Sequence, residues 1–528
     1  MSRKVVGAFV TALSIAFLAI LVAGVGAPAL GAGASHRYPP AKWILGPIYG
    51  TGCPLASYCG NGYDMASEVN SDLDHLSAHD IPIAAYHFDG AGWSSGSCKW
   101  ALGNALIGRL TRENLRAILH VWGGCNTTAR ISNANKQLGT VLGAIYLDEG
   151  STDASAITAF DFLRSLMPPN REVVMKAYQG DRLETDAGLA AIGHVAYVGD
   201  LTADFAGLRI GIQRVFSKRA LLAAPFNEFT GYDLQAAPTE EAYFRRLHWG
   251  AMQMVMEQDC VWDCDPWGSR YGAYSPALLD SYRYYSWLHA ELAPYLYSYD
   301  YQMYETGQPV FRDSDAGAYT TRLGDELFVA YVTEPGIDSL AVTLPAGQWI
   351  NYWDDTQLHE GRSTISYPVP LGREPIFIRN GALIPMDVSR DYTGHGTRLS
   401  AGSLTVLVYP SGSSSFSYRD DGYWVRFKST LNGEALTLTS SPAPSRPVLY
   451  RIGRWSSEPA VVAVNGTTVA VNQSGTVAAR ANSEDEVNGA VSNAWFYDAF
   501  AQRLIVKVVP RELRQRVIDA ARAPRDMR

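Results

Sequence analysis

The stretch Val141-Leu-Gly-Ala-Ile-Tyr-Leu-Asp148 is a short apolar run that ends in an aspartate, and this arrangement decides the fold. It recurs at Ile81-Pro-Ile-Ala-Ala-Tyr-His-Phe-Asp89 and at His194-Val-Ala-Tyr-Val-Gly-Asp200. Short apolar runs of this kind are typical of strands that are buried on both faces. A carboxylate that follows such a strand lies at its carboxyl end, where parallel barrels carry their catalytic groups. Taken singly, each aspartate could equally cap a helix or form a turn.

Similar runs recur from about Lys42 to Phe229, and segments with helical spacing, such as Met65 to His75 and Ala154 to Leu166, separate several of them. This alternation predicts parallel βαβ units, and a region of roughly 260 residues suits one eight-stranded barrel. A doubly wound sheet would alternate in the same way, but no Gly-rich phosphate loop follows the first run. We therefore predict an α/β fold, with a (β/α)8 TIM barrel over residues 35–305. The additional runs are Trp43 to Leu45, Leu115 to Val121, Val173 to Met175 and Leu221 to Ala224.

Helical periodicity fades after about Tyr304, and short strands punctuated by Gly, Pro and Ser take over. This pattern is typical of all-β sandwich domains. We predict a proximal β-sandwich at residues 306–392 and a distal β domain at 393–528. The distal domain is expected to end in a short charged helix, Arg511 to Ala521.

The composition limits the classes of molecule that the chain is expected to bind. With a net charge of -8, the chain has no general basic field for nucleic acid or an anionic membrane. Aromatic residues make up 11% of the chain, and their rings can stack on sugars, although a β-rich core uses them as well. We expect an oligosaccharide or glycoside substrate. No sequence feature requires a metal or an organic cofactor, and the oligomeric state stays open.

The first residues have the parts of an export signal. Arg3 and Lys4 precede an apolar run from Val5 to Val25, and Ala27-Pro28-Ala29 or Ala32-Gly33-Ala34 offers small residues for cleavage. We predict a signal peptide at residues 1–34 and a secreted or periplasmic protein that leaves the membrane after cleavage. An uncleaved membrane anchor is the alternative.

The six cysteines suit an oxidising compartment, because an even number in an exported chain predicts disulfides. Six cysteines allow 15 pairings, and we expect the three local ones. The zinc alternative is poor, since none of these pairs has C-x2-C spacing or a nearby His pair. The pairs are Cys53 with Cys59, Cys98 with Cys125, and Cys260 with Cys264.

One motif carries a family resemblance. The stretch Tyr197-Val-Gly-Asp-Leu-Thr-Ala-Asp-Phe-Ala-Gly-Leu-Arg209 resembles the W-x-G-D-N-x-x-x-W-x-G-L-R motif of glycoside hydrolase family 31, the α-glucosidase and α-xylosidase family. Other segments resemble further motifs of that family in the same order. They are Tyr38–Gly46, Glu291–Tyr297, Glu305–Val310, Leu344–Trp353, Pro375–Pro385 and Tyr409–Gly422.

The resemblance implies a retaining α-glycosidase that works through a covalent glycosyl-enzyme intermediate. In the family the Asp of the G-D step is the general acid/base, which implies that role for Asp200. Asp148 falls on the nucleophile, and Asp89 on an aspartate that binds sugar hydroxyls. Retaining chemistry requires two carboxyl groups about 5 to 5.5 Å apart, whereas inverting chemistry requires about 6.5 to 9.5 Å.

The chain also departs from the family pattern. The nucleophile motif W-x-D-M-N-E is here Y-L-D-E-G, and the predicted barrel starts directly after the signal, where members usually carry a β-sandwich. Lys176 replaces the usual Arg after the fifth strand and loses its bidentate fork. Glu228 replaces the Asp of the seventh-strand motif, and Asp259 lies near the place of a substrate-contacting His. Trp122 could be a sugar platform or core packing.

These departures leave alternatives open. The chain could be a sugar-binding homologue that lost turnover, or it could use the same site for transglycosylation or lyase chemistry. His87 and His194 lie next to strands, and we interpret both as structural histidines.

Overall fold

The computed structural model describes residues 39–52, 65–89, 102–121, 128–147, 153–168, 170–176, 185–231, 237–260, 264–268 and 274–510. The predicted signal peptide and charged C-terminal helix lie outside these ranges, as do Cys53, Cys59, Cys98, Cys125 and the side chain of Cys260. Cys264 is buried. The disulfides therefore stay predictions. None of the helices in these ranges combines the length and the apolar character that crossing a membrane would require.

Eight parallel strands form the first sheet, in the spatial order β7-β6-β5-β4-β3-β2-β1-β8. Most of their buried side chains are apolar, as the runs of Val, Ile, Leu and Ala predict for a sheet covered on both faces, but His87, His120, Glu257 and Asp259 are buried as well. The strands are β1 (Ile48–Gly52), β2 (Ala85–Asp89), β3 (Arg116–Val121), β4 (Leu142–Leu147), β5 (Glu172–Lys176), β6 (Val195–Tyr197), β7 (Ala224–Phe226) and β8 (Glu257–Cys260).

The sheet curls until its two end strands, β7 and β8, meet. Just beyond β7, the main-chain N–H of Phe229 donates to the carbonyl of Glu257 in β8, over 3.0 Å. The Gln253 amide, which precedes β8, accepts from the backbone N–H of Asn227 (2.9 Å) and donates to the Asn227 carbonyl (3.0 Å). The predicted (β/α)8 barrel is confirmed.

Helices alternate with the strands, and side chains define where several of them begin. Asp204 caps the helix after β6 by accepting from the Gly207 N–H (2.9 Å), and Thr239 and Ser275 cap the next two. The helices are α1 (Met65–Ala78), α2 (Asn104–Arg112), α3 (Thr128–Leu138), α4 (Asp153–Leu166), α5 (Asp186–Ile192), α6 (Phe205–Lys218), α7 (Glu240–Ala251) and α8 (Pro276–Thr306).

A first β-sandwich follows α8. A six-stranded sheet in the order β14-β13-β16-β11-β10-β9 faces the two-stranded sheet β12-β15, and Phe328, Trp349, Phe377 and Tyr367 fill the space between them. The strands are β9 (Phe311–Arg312), β10 (Thr320–Leu323), β11 (Leu327–Ala330), β12 (Ser339–Thr343), β13 (Gln348–Asn351), β14 (Asp354–Glu360), β15 (Thr364–Pro368) and β16 (Ile376–Arg379).

A second sandwich pairs the sheet β17-β18-β22-β27-β26-β25 with the sheet β19-β20-β21-β24-β23. Phe427 and Tyr450 meet across its core, edge to face. The strands are β17 (Leu383–Met386), β18 (Leu404–Val408), β19 (Ser413–Arg419), β20 (Trp424–Asn432), β21 (Ala435–Ser441), β22 (Val448–Ile452), β23 (Val462–Asn465), β24 (Thr468–Val471), β25 (Ala479–Arg480), β26 (Ala494–Asp498) and β27 (Arg503–Val508), with a short helix α9 (Glu484–Gly489) before β26.

The second sandwich begins earlier than the sequence indicated. Strand β17 pairs with β18 along its whole length, so residues 383–386 belong to the second sandwich and not to the predicted proximal domain at 306–392. A chain that passes directly from one sheet to the next carries no loop signal at the border, and only strand pairing locates it.

Helix α8 is 31 residues long, and its second half packs on the second sandwich. Tyr295 stacks on Phe416 of β19 with ring centroids 5.6 Å apart. Glu291 accepts from the Thr393 hydroxyl (2.6 Å), and the Ser298 hydroxyl accepts from the Arg419 backbone N–H (3.0 Å). The helix is therefore shared between the barrel and the sandwich core.

Arg246 of α7 ties together the loops that follow β6 and β7. Its guanidinium is fully buried. It donates to the carbonyls of Phe229 (2.9 Å) and Asp204 (2.7 Å), and also to that of Thr202. Hydrogen bonds from a charged donor are stronger than neutral ones, and buried carbonyls without partners are costly.

We predict that Arg246→Met lowers the stability of the barrel by about 3 kcal/mol, because three loop carbonyls, among them that of the buried Phe229, lose a charged donor. The measurement is the shift in the urea midpoint of near-UV circular dichroism. Arg209→Met is the matched control. The Arg209 side chain is 32% exposed, pairs with Glu334 and donates to one carbonyl, that of Thr333, so its loss should cost clearly less than that of Arg246. Equal shifts for the two variants would contradict this interpretation of Arg246.

Candidate active site

Asp200 lies just beyond the carboxyl end of β6. Val198 continues the strand pairing by donating its N–H to the Phe226 carbonyl (2.9 Å). Gly199 then adopts a φ of 121°, a conformation that a residue with a Cβ rarely reaches. The glycine of the Gly-Asp step thus turns the chain sharply and places Asp200 at the mouth of the barrel.

One oxygen of Asp200 is held from inside the barrel. The Tyr197 hydroxyl donates to Asp200 Oδ1 over 3.1 Å, and Lys176 Nζ lies 3.5 Å from the same oxygen. The Asp200 side chain is 27% exposed, whereas Lys176 is buried. Both contacts use Oδ1, so within the described residues Oδ2 is the oxygen that is left for a ligand.

Glu228 lies two residues beyond β7 and is only 3% exposed. Its Oε2 is 3.3 Å from the Tyr197 hydroxyl. Burial, and then the nearby Asp259 and Glu257 carboxylates, raise the pKa of Glu228 well above its usual value. Glu228 therefore keeps its proton to a higher pH than an exposed glutamate does.

Strand β8 sends two carboxylates into the barrel. Glu257 and Asp259 point inward, as alternation along a strand requires, and Gln258 points outward to the Tyr243 hydroxyl. His87 of β2 meets both carboxylates, with Nδ1 3.0 Å from Glu257 Oε1 and 3.4 Å from Asp259 Oδ2. Asp259 is 1% exposed. Its contacts thus lie in the barrel interior, below the mouth.

Aromatic rings fill the layer beneath the mouth. The ring of His87 stacks on Tyr146 of β4 at 4.7 Å and on His120 of β3 at 5.8 Å. Tyr146 in turn contacts Tyr197 at 6.1 Å. These rings thus pack beside the buried carboxylates of β8, which His87 contacts.

His194 lies at the opposite end of the barrel, ahead of β6. Its Nε2 is 2.5 Å from Oε2 of Glu172, the first residue of β5. Arg164 of α4 also approaches Glu172, at 3.7 Å. This cluster is remote from Asp200 along the strands, and its contacts give His194 the structural role that we predicted.

Three predicted site residues cannot be placed with their side chains. Asp148 and Trp122 lie outside the described residues, and Asp89 ends β2 with a side chain that is not described. Leu147, the residue before Asp148, pairs with Met175, and the next residue of β5, Lys176, pairs with Tyr197. The structure thus brings together Asp200, Lys176, Glu228 and Asp259, and their substrate roles stay predictions.

Sequence reasoning missed Tyr197, Tyr146 and Glu257 as members of this cluster. Tyr146 and Glu257 lie two residues before Asp148 and Asp259, so counting alternate positions along the strands would have found them. Tyr197 lies three residues before Asp200, and only the turn at Gly199 brings its hydroxyl to that carboxylate. Among the described residues, no group of three or more His, Cys, Asp or Glu side chains is arranged to hold a metal ion.

The comparisons with known proteins agree with this architecture. Residues 300–384 match the model of the glycosyl hydrolase family 31 C-terminal domain. An isomaltosyltransferase of Sporosarcina globispora is 25% identical over 302 residues, which cover 51% of this chain and 26% of that protein. The chain thus matches only about a quarter of the length of that relative.

Two solved structures share the fold. The cycloalternan-forming enzyme from Listeria monocytogenes, in complex with a pentasaccharide substrate, superposes with a TM-score of 0.71 at 17% identity, covering 90% of this chain and 54% of that one. The Flavobacterium johnsoniae GH31 dextranase complexed with glucose gives a TM-score of 0.70 at 16% identity, covering 89% and 70%. The family model, the relative and the shared fold all agree with the predicted resemblance to glycoside hydrolase family 31.

Proposed function

We propose that the protein is a retaining α-glycosidase in which Asp200 is the general acid/base and Asp148 the nucleophile. The observation that carries the proposal is the position of Asp200. It follows a barrel strand in the family's Gly-Asp step, with one oxygen held by Tyr197 and Lys176 and the other left toward the mouth.

Glycosidic bond cleavage needs a group that protonates the leaving oxygen while a second carboxylate attacks the anomeric carbon. Strands β4, β5 and β6 are parallel and paired in register. A residue that follows β4 therefore belongs at the same end of the barrel as one that follows β6. This supports Asp148 as the partner of Asp200, and the proposal requires their carboxyl groups to lie about 5 to 5.5 Å apart.

Neighbouring residues would bind and orient the sugar. Asp89 ends β2 and Trp122 directly follows β3, so both belong to the same end of the barrel as Asp200. We propose that Asp89 binds sugar hydroxyls and that Trp122 offers a stacking face. Lys176 places a cation beside Asp200, where it would orient the acid and contact a hydroxyl of the bound sugar.

The substrate is proposed to be an oligosaccharide or glycoside with an α-linked sugar. A dextranase and an isomaltosyltransferase are among the similar proteins, which favours α-glucosides as the first compounds to test. The isomaltosyltransferase also motivates a second candidate function, transfer of the glycosyl group to another sugar instead of to water. Both reactions would pass through the same covalent intermediate.

We also propose export. The support is the sequence alone: the positive and apolar segments of residues 1–34, and six cysteines between Cys53 and Cys264.

The first test of the function is Asp200→Asn. We expect kcat/KM for an α-linked disaccharide to fall by about 10²- to 10⁴-fold, since the leaving oxygen is no longer protonated. With a dinitrophenyl α-glucoside, the dinitrophenolate leaves without needing a proton. The rate of the first step, formation of the glycosyl-enzyme, should therefore fall much less. Asp186→Asn, an exposed carboxylate on α5 that pairs with Lys218, is the control and should leave both rates unchanged. An equal loss for both leaving groups would argue against an acid at Asp200.

A second test concerns Asp148. A 5-fluoro-α-glucosyl fluoride should label the wild-type protein covalently, and peptide mass spectrometry should locate the label on Asp148. The Asp148→Ala variant should stay unlabelled. In a separate measurement, NMR of the wild-type reaction should show the α-anomer as the first product. A β-anomer as the first product would mean inversion. Sugar binding without turnover or label would replace the proposal with a sugar-binding function.

A further inference from the structure

The Tyr197 hydroxyl lies between two carboxyl groups. It is 3.1 Å from Asp200 Oδ1 and 3.3 Å from Glu228 Oε2. Tyr197 ends β6, Asp200 follows it by three residues, and Glu228 follows β7. One oxygen atom therefore connects the residue at the barrel mouth with the residue buried beneath it.

A phenol carries a single hydrogen, so Tyr197 can donate to only one of these carboxyl groups. If both groups were ionised, one of the two contacts would join two oxygen atoms with no hydrogen between them. That arrangement is repulsive in a buried site. The geometry is satisfied when one carboxyl group is protonated and donates to the Tyr197 oxygen, while Tyr197 donates to the other.

The proton belongs on Glu228 in the resting protein. Glu228 is buried and faces the carboxylates of Asp259 and Glu257 on β8, which His87 of β2 contacts in turn. Asp200 is partly exposed and has the ammonium group of Lys176 beside it. Burial and like charge both favour the neutral form of a carboxyl group, and a cation favours the ionised form.

We propose that Glu228 stores the catalytic proton of Asp200 and passes it through the Tyr197 hydroxyl. Glu228 gives its proton to the Tyr197 oxygen as Tyr197 gives its own to Asp200, so Glu228 becomes ionised and Asp200 neutral. Asp200 then protonates the leaving oxygen as the glycosidic bond breaks. In the second step Asp200 takes a proton from the attacking water, and the reverse shift restores the resting state.

This inference rests on the proposed role of Asp200. Tyr197 and Glu228 act through Asp200 and are positioning residues. The family motif has Trp at the position of Tyr197 and Asp at that of Glu228, so the bridging hydroxyl and the longer acid are both features of this chain.

The proton store can be observed without turnover. Infrared difference spectra at neutral pH, wild type minus Glu228→Gln, should contain the carbonyl band of a protonated carboxylic acid. In Tyr197→Phe this band should shift to higher frequency or vanish, because its hydrogen-bond acceptor is gone. Tyr146→Phe is the matched control. Its hydroxyl is buried, its ring contacts Tyr197, and it has no hydrogen-bond partner among the described residues, so the band should stay.

The passage of the proton is tested by pH profiles of kcat/KM with a substrate whose leaving group needs protonation. Without the store, Asp200 must draw its proton from solvent. Tyr197→Phe and Glu228→Gln should therefore both move the basic limb to lower pH, by about one unit or more. The double variant should shift no further than either single variant, because both changes interrupt one path.

These outcomes separate the two proposals. A missing acid band, or a band that is the same in Tyr197→Phe, overturns the proton store whether or not the protein is a glycosidase. Lower rates with an unmoved basic limb would mean that the residues only support the fold, which also overturns it. A band that behaves as expected in a protein without glycosidase activity would instead overturn the proposed function and the passage to Asp200.

Discussion

The contact between β7 and β8 is the constraint on which the site depends, because an eight-stranded parallel sheet becomes a barrel only if its end strands meet. Strand β7 is three residues long and offers few main-chain hydrogen bonds. The Gln253 amide supplies two bonds to Asn227, and the Thr230 hydroxyl donates to the Asp259 carbonyl (3.3 Å). Side chains thus supply the hydrogen bonds between the end strands that the short β7 lacks. The same junction places the carboxylates of β8 close to Glu228.

That junction concentrates negative charge where water is excluded. Glu228, Glu257 and Asp259 are all buried, and their mutual repulsion could not be tolerated without compensation. His87 contacts two of them, and Lys176 provides a cation near Glu228 and Asp200. A proton on Glu228 would remove one of these negative charges. The same packing that completes the barrel interior therefore raises the pKa of Glu228, which shares the Tyr197 hydroxyl with Asp200.

The sequence predicted the parts of this arrangement that follow from local pattern. Apolar runs that end in Asp located β2, β4 and β6, and the Gly-Asp step identified Asp200. It did not predict that Tyr197 would lie between two carboxyl groups, because the second group comes from another strand, 31 residues further along the chain. The burial of Asp259 was missed for a similar reason. The polar sequence Glu257-Gln-Asp-Cys260 favours a loop, and only its pairing with β1 shows that it is a barrel strand. The early start of the second sandwich likewise depended on pairing in space.

Helix α8 makes the barrel and the second sandwich depend on each other for a complete interior. Its first half covers the barrel, whereas Glu291, Tyr295 and Ser298 complete the interior of the second sandwich. A gene fragment that stopped at the end of the barrel would encode helix α8 without the sandwich, so the side chains of its second half would be exposed to water. Recombination at that border is therefore disfavoured. A module fused to this protein should accordingly be tolerated better at the ends of residues 39–510 than at the border between the barrel and the sandwiches.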